Sequence, residues 1–595
     1  MKRAIGRLLA WIGGLVVVAG VLAVVMVVYG LRHKKAVPSR TILELNLESA
    51  FVEDNPDNPM ARLTGASKPD LHDLTFALER AEGDPRVVGL VARLGAAKVG
   101  IAHVQELRDA VLRFRKKGKF ALAFSETFGE FSSGGSAYYL ATAFDEVWLQ
   151  PSGDVGLVGI QLEAQFLRGT LDKLGVVPRL DHRYEYKAAM NMFTETKFTP
   201  AHREELHKVG DGIFNQMVRG IAEGRKLSPE QVKGLIDRGP FLGQEAVNEK
   251  LVDQLAYRDT FYSKAKERAG AGAELLYLNK YLERTDRPHK KGKRVALIFG
   301  IGGVGRGASD YDPLSGSQSM GSDTVTAAFR AAIADKDVKA IVFRVDSPGG
   351  SYVASDAIWR EVLNAKQAGK PVIVSMGNVA GSGGYFVAMG ADKIVAEPGT
   401  ITGSIGVLGG KLVPSGLMEK VGVSVDRVTF GQNAAMFSPT TDYSPAEWAR
   451  FQAWLDRVYA DFTTKVAQGR KLDKAKVLEL AKGRIWTGED AKQLGLVDEL
   501  GGLHMALALA KQAAGIPEPD DVELRPFPTK KSPARELFDK LTGKEPDNSE
   551  KTERIALQLN SQTLQALREL VQLAQRVGLY GTHDVLEMPA GSTVY

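Results

Sequence analysis

The chain has no cysteine, which excludes thiol catalysis, disulfides and cysteine-ligated zinc or iron–sulfur centres. It has no histidine between His289 and His504, so a Ser-His-Asp triad cannot be built within that stretch. It has no long stripe of one charge. The 77 basic and 71 acidic residues are interspersed and leave a net charge of +6, which gives nucleic-acid binding no support. Apolar residues at 44% and charged residues at 25% are the shares of an ordinary globular protein, so neither wholesale disorder nor a polytopic membrane protein is indicated. At 595 residues the chain exceeds one core and suggests three or four units, or two large ones after a duplication.

One long apolar run is present, at the N-terminus. Leu8 to Leu31 carries no charge and is long enough to cross a hydrocarbon core of roughly 30 Å. It reads as a single membrane anchor. A cleaved signal peptide is the alternative, but its apolar region usually spans about 7 to 15 residues, and no clear small-x-small site follows here. Lys2, Arg3 and Arg7 are balanced by Arg32, Lys34 and Lys35, so charge counting leaves the orientation open.

The body of the chain repeats itself. "DPRVVGLVARL" from Asp84 resembles "DKDVKAIVFRV" from Asp335, an offset of 251 residues. Gly224 and Asp253 in "AEGRKLSPEQVKGLIDRGPFLGQEAVNEKLVDQL" match Gly469 and Asp498 at an offset of 245. "AYYLATAFDEVWLQPSGDVGLVGI" from Ala137 matches "GYFVAMGADKIVAEPGTITGSIGV" from Gly384 at 247. β-branched runs such as "AIVFRV" and "PVIVSM" alternate with helical patterns such as "AIWREVLNAKQAG", predicting an α/β fold in each half. "TPAHREELH" and "SPAEWARFQ" each open with an N-cap residue and Pro, and predict long helices that pack one half on the other. The expected units are an anchor over 1–36, a first repeat over 37–290, a second over 291–515, and a charged linker with a helical tail over 516–595. "LERTDRPHKKGKR" (282–294) reads as the linker between halves, and "FGIGGVGRGAS" (299–309) as a flexible loop near the site.

Candidate chemistry lies in the second half. "AIVFRVDSPGGS" ends a buried strand with Gly349 and Gly350, at the strand end where open α/β sheets bind ligands. "NVAGSGGY" ends the next with Ser382, Gly383 and Gly384 and enters a helix. Glycine pairs at strand ends also serve simply as tight turns. Two such clusters after consecutive strands instead suggest that the Gly350 and Gly383 N–H groups form an oxyanion hole beside Ser382. The base is found by comparing the halves. "YEYKAAMNMFT" holds Lys187 where "FGQNAAMFSPT" holds Asn433, whereas Ser382 faces Gly135 and "DSPGG" faces "LGAAK". One copy keeps a lysine and the other a serine with its glycines, which suggests a composite site. Lowering a lysine pKa from about 10.4 to near 7 costs roughly 4 to 5 kcal/mol. Burial between two domains can supply that, provided polar partners hold the amine, and Ser404 in "TGSIGV" is the candidate.

"DSPGG", "GSGGY" and "TGSIG" in one half and "YKAAMNMFT" in the other resemble signal peptide peptidase A of bacteria, in its long duplicated form, over most of residues 1 to 515. The resemblance implies two tandem Clp-protease/crotonase-like domains behind one N-terminal transmembrane helix. It implies a membrane-anchored serine protease with a Ser-Lys dyad that digests remnant signal peptides, with its body on the periplasmic side of the inner membrane. It also implies a homotetramer with grooves for small and hydrophobic side chains, and no metal or other cofactor. By motif, Ser382 is the nucleophile, Lys187 the general base, Ser404 the lysine's partner, and Gly350 and Gly383 the oxyanion donors. Departures are modest: a glycine precedes the serine where alanine is common, and Asp346 stands where asparagine is common.

Two other classes compete. A crotonase-type acyl-CoA enzyme would share the paired-glycine oxyanion hole but need neither lysine nor anchor. A non-catalytic membrane scaffold would not need Ser382 and Lys187 in complementary halves. "AHREELH" spaces its histidines wrongly for a zincin, and the glycines of 299–309 do not open a helix as a dinucleotide loop must.

Overall fold

A computed structural model describes residues 36–55, 69–95, 99–130, 132–312, 317–518 and 520–528, together with 586–587 and 593–594. The expected anchor and tail helix lie outside the described residues. Among the described residues no helix is long and apolar enough to cross a membrane.

Each half is built on a parallel sheet. In the first, the order is Glu274–Tyr277, Thr41–Leu47, Val87–Leu94, Phe120–Ser125, Glu146–Leu149, Gln254–Leu255, with every pair parallel. In the second, Val522–Phe527, Lys293–Ile301, Val338–Ser347, Val372–Gly381, Lys393–Ala396 and Glu499–Leu500 repeat that order. Runs such as "VVGLVARL" and "VKAIVFRV" are apolar almost throughout because helices cover both faces of a parallel sheet. The charged stretch after residue 515 thus contains one strand of the second sheet, the counterpart of Glu274–Tyr277, which the sequence comparison did not reveal.

The sheets differ at one point. Val372–Gly381 has ten residues against six in Phe120–Ser125, and its extra length pairs with Ile401–Gly403, which pairs in turn with Ile485–Thr487. In the first half the corresponding Asp154–Val155 pairs with Phe241–Leu242 and meets the central strand's continuation only through a single bridge from Val155 to Phe128. The second half therefore carries its central strand further, to the edge where Ser382 stands.

The long helices are Pro200–Arg225 and Pro445–Arg470. The Thr199 and Ser444 side chains cap them, and proline at the first helical position fixes the entry. Both cross between halves. In the first helix Arg219 pairs with Glu489 and Gln216 donates to Pro398 O at 3.0 Å. In the second, Asp456 and Gln452 take Arg183. The decisive seam is a strand pair: Val177–His182 lies antiparallel to Leu408–Val413 and carries the following segment across the second half.

Residues 299–309 are not a free loop. Lys293–Ile301 continues into Gly303–Gly305, which pairs with Ser317–Gly321 on one side and, through Val304, with Gly350 on the other. The glycines permit that closeness, since a Cβ at Gly302 would lie 1.8 Å from Gln318 O.

Candidate active site

Ser382 stands where Val372–Gly381 turns directly into the helix Gly383–Ala388. Its backbone has φ 54° and ψ −114°, a conformation costing about 1–3 kcal/mol for a residue with a side chain. The strain is held from both sides, because Ser382 N–H donates to Gly403 O and Ser382 O accepts from Phe386 N–H, each at 2.8 Å. A sharp strand-to-helix turn of this kind projects the hydroxyl clear of the sheet.

Lys187 arrives on the segment that follows Val177–His182, just before the short helix Ala188–Met190. Its Nζ lies 2.8 Å from Ser382 Oγ, 2.9 Å from Ser404 Oγ and 3.1 Å from Ser404 O. None of the three residues has exposed surface. A neutral amine has two N–H donors and one lone pair, and these neighbours fit it: Ser404 Oγ and O accept, and the Ser382 hydroxyl donates. Ser404 is held in turn by its own N–H, which donates to Arg484 O at 2.8 Å.

Gly350 and Gly383 meet beside this pair, since a Cβ on Gly383 would sit 3.0 Å from Gly350 N. Gly383 opens its helix, so its N–H has no acceptor within the helix. Ser351 N–H donates to Val304 O at 2.8 Å, and the alternation of a strand turns the Gly350 N–H toward the opposite edge. At φ 149°, with a would-be Cβ 2.2 Å from Val304 O, position 350 accepts only glycine. All five residues singled out in the sequence are thus brought into one place, from both halves.

Residues 114–272 and 364–517 match the family described as "Peptidase family S49". The chain belongs to this family. Among its relatives, Protease 4 of Salmonella typhi is 33% identical over 459 residues, covering 75% of this chain and 72% of that protein. Protease 4 of Haemophilus influenzae is 31% identical over 510 residues, 81% of this chain and 80% of that one. Serine protease SPPA, chloroplastic, of Arabidopsis thaliana is 31% identical over 465 residues, 76% and 67% respectively. This S49 peptidase is a serine protease of the long, duplicated kind. The acyl-CoA and scaffold alternatives are set aside.

Three residues of the S49 peptidase's site escaped the sequence. Gly483, at φ 82°, lies against the lysine stem, so that a Cβ there would be 2.5 Å from Lys187 Cβ, and one at Gly406 would be 3.2 Å from Lys187 Cδ. Gly483 faces Arg238 in the first half at an offset of 245. The same complementary asymmetry that exposed Lys187 could have exposed it. The third is Glu205, fully buried on the helix Pro200–Arg225. Its Oε2 accepts the Ile485 N–H at 3.2 Å, and Oε1 has no hydrogen-bond partner among the described residues. Burial pushes this carboxyl up to about 8, against the pull of the Ile485 N–H, Arg484 and Lys187. At neutral pH it is protonated and brings no counter-charge to the amine. Its one signal in the sequence is an acid on the buried stripe that includes Leu206 and Val209.

Proposed function

We propose that this S49 peptidase hydrolyses cleaved signal peptides and other unfolded, hydrophobic peptides through a Ser-Lys dyad split between its halves. The observation that carries this is the 2.8 Å contact of Lys187 Nζ with Ser382 Oγ, closed off from solvent. Burial disfavours a charged amine, so Lys187 takes the Ser382 proton as Oγ attacks the scissile carbonyl. The oxyanion is met by the Gly350 and Gly383 N–H groups. Collapse expels the amine, which Lys187 protonates, leaving an acyl group on Ser382. Water, deprotonated by Lys187, then releases the acid. Ser404 keeps the amine aimed throughout.

Extended peptides suit the site, because the edge at Gly349–Gly350 takes a strand antiparallel, as it does the chain's own Leu586–Glu587. Leu8–Leu31 as a retained anchor would hold the body on the periplasmic side of a bacterial inner membrane, with the two repeats adopting the Clp-protease/crotonase-like fold. Assembly into a homotetramer draws support from the segment of the second half that answers to Val177–Met190. There Val428 is 85%, Phe430 90% and Phe437 82% exposed, whereas the first-half segment is docked on its neighbour. Such a row of apolar side chains fits another copy of the chain.

The test is hydrolysis of an unfolded, signal-peptide-like fluorogenic peptide by wild type, Lys187→Ala and Ser382→Ala. Loss in both variants with assembly intact is expected. Full activity in Lys187→Ala would sink the split dyad.

A further inference from the structure

The two strands that present the reacting groups are gripped from the first half of the molecule. Asp346 stands four residues before Gly350 and Asn378 four residues before Ser382, on neighbouring parallel strands. The main-chain register between those strands slips at Val345/Ser347. Asp346 Oδ1 fills the gap by accepting the Val379 N–H at 2.9 Å, while Asp346 O accepts the Gly302 N–H at 2.9 Å and so fixes the strand that flanks Gly350.

His103, from the first half, touches both residues. Its Nε2 lies 3.3 Å from Asp346 Oδ2, and its Nδ1 accepts from the Asn378 amide at 2.6 Å. Its backbone N–H donates to Asn378 Oδ1 at 3.1 Å. The helix Ile101–Lys116 starts at Gly100 without a capping side chain of its own, so Asn378 caps it from the other half. Gly100 makes room, since a Cβ there would lie 2.2 Å from Asn378 Oδ1.

The imidazole is itself fixed. Glu53 Oε2 is 2.5 Å from Nε2, and Glu53 is bound by Arg344 at 2.6 and 2.9 Å and faces His72 at 3.3 Å. Arg344 also pairs with Glu106 at 2.7 Å. Burial opposes a charge on His103 while Glu53 and Asp346 favour one, and the Asn378 amide, whose oxygen already takes the His103 N–H, donates to Nδ1 and leaves the ring proton on Nε2. Glu53, His103 and Asp346 form the one cluster of metal-ligand type among the described residues. The 2.5 Å His103–Glu53 ion-pair contact is shorter than the roughly 3.3 Å between two ligands of one tetrahedral metal, and Arg344 already neutralises Glu53. The cluster is a clamp.

We propose that His103 is a positioning residue for peptide hydrolysis: through Asp346 and Asn378 it holds, from the first half, the strands that present the oxyanion donors and the nucleophile. Small displacements at such a site cost large factors in rate while leaving substrate binding along the groove intact. This inference rests on the protease reading of the Ser382 site.

The test compares full-length wild type with His103→Ala, Asn378→Ala, His103→Gln and Asp346→Asn on the same fluorogenic peptide, with Ser382→Ala as the blank. Glutamine keeps a donor toward Glu53 and an acceptor for the Asn378 amide, and Asp346→Asn keeps the acceptor for Val379 N–H. His103→Ala and Asn378→Ala are expected to lower kcat about 10- to 100-fold with KM within threefold, and the two conservative variants to recover most of it. If wild type is active and both alanine variants keep kcat within twofold, the clamp is overturned and the protease reading stands. If wild type does not exceed the Ser382→Ala blank, it is the protease reading that fails. Should His103→Ala not fold, Asn378→Ala against His103→Gln decides: parallel loss of thermal stability and activity in both, glutamine included, makes the contact merely structural and overturns the proposal.

Discussion

The two halves hold themselves together by the same polar contacts and differ where chemistry is placed. Tyr138 donates to Leu251 O at 2.7 Å, and Tyr385 to Leu496 O at 2.9 Å. Lys119 binds Ala81 O and Asp84 O, and Lys370 binds Ala332 O and Asp335 O. Arg225 with Asp253 is repeated by Arg470 with Asp498. The tyrosines reach buried carbonyls, the lysines add a donor to carbonyls that already close the turns before a strand, and the Arg–Asp pairs fix the strand ends, in both copies alike. A reaction needs one nucleophile and one base. The proposed dyad accounts for Gly135 facing Ser382, Asn433 facing Lys187, and Arg238 facing Gly483.

That comparison can be broken at several strengths. The largest effect is expected from Lys187→Ala and Ser382→Ala, each lowering kcat/KM by about 10³-fold or more, while Asn433→Ala in the matching position of the other half stays within about twofold of wild type. Steady-state kinetics on one peptide measures all three. Next comes Gly483→Ala, whose methyl would press on the lysine stem; it should lose about 10²-fold in kcat, whereas Arg238→Ala should lose none. Tyr138→Phe and Tyr385→Phe test the shared part. Each strands a buried carbonyl and should cost about 1–3 kcal/mol in denaturant unfolding, whichever half carries it. A large difference between them would show that the halves are not equivalent scaffolds.

A further effect, one of pH dependence, concerns Glu205. Its folded-state pKa of about 8 lies above the ordinary carboxylate value of 4.5, so the native state holds a proton that the unfolded chain releases as pH rises. Stability from this group is full below about pH 4.5 and is lost progressively up to about pH 8. Glu205→Gln should therefore match wild type in thermal unfolding near pH 4 and exceed it by about 4 kcal/mol at pH 8. A constant difference across that range would show that the carboxyl does not titrate there.

Lys187, Ser382 and the motif of Gly350 stood out because duplication supplied a second copy for comparison, Gly383 because it lies in a second strand-end glycine cluster, and Ser404 through its motif. The rest was hidden for definite reasons. Gly303–Gly305 reads as a loop because glycine carries no strand propensity, and only its partners Ser317–Gly321 and Gly350 make it a strand. Val522–Phe527 sits in a charged, proline-bearing stretch, as an edge strand can. Glu205 and His103 belong to helices whose other buried positions are mostly ordinary apolar ones, and what sets them apart is contact with the other half.

The seam between Val177–His182 and Leu408–Val413 also has a meaning in time. Lys187 and Ser382 lie 195 residues apart in the chain, and Ser404 comes later still. While the polypeptide is being made, the first half can fold with its lysine and the growing second half can fold around its serine, yet no complete pair exists until the later half has closed on the earlier one. On the proposed dyad, a cell making this protease gains a delay between synthesis and cutting that is built into chain order.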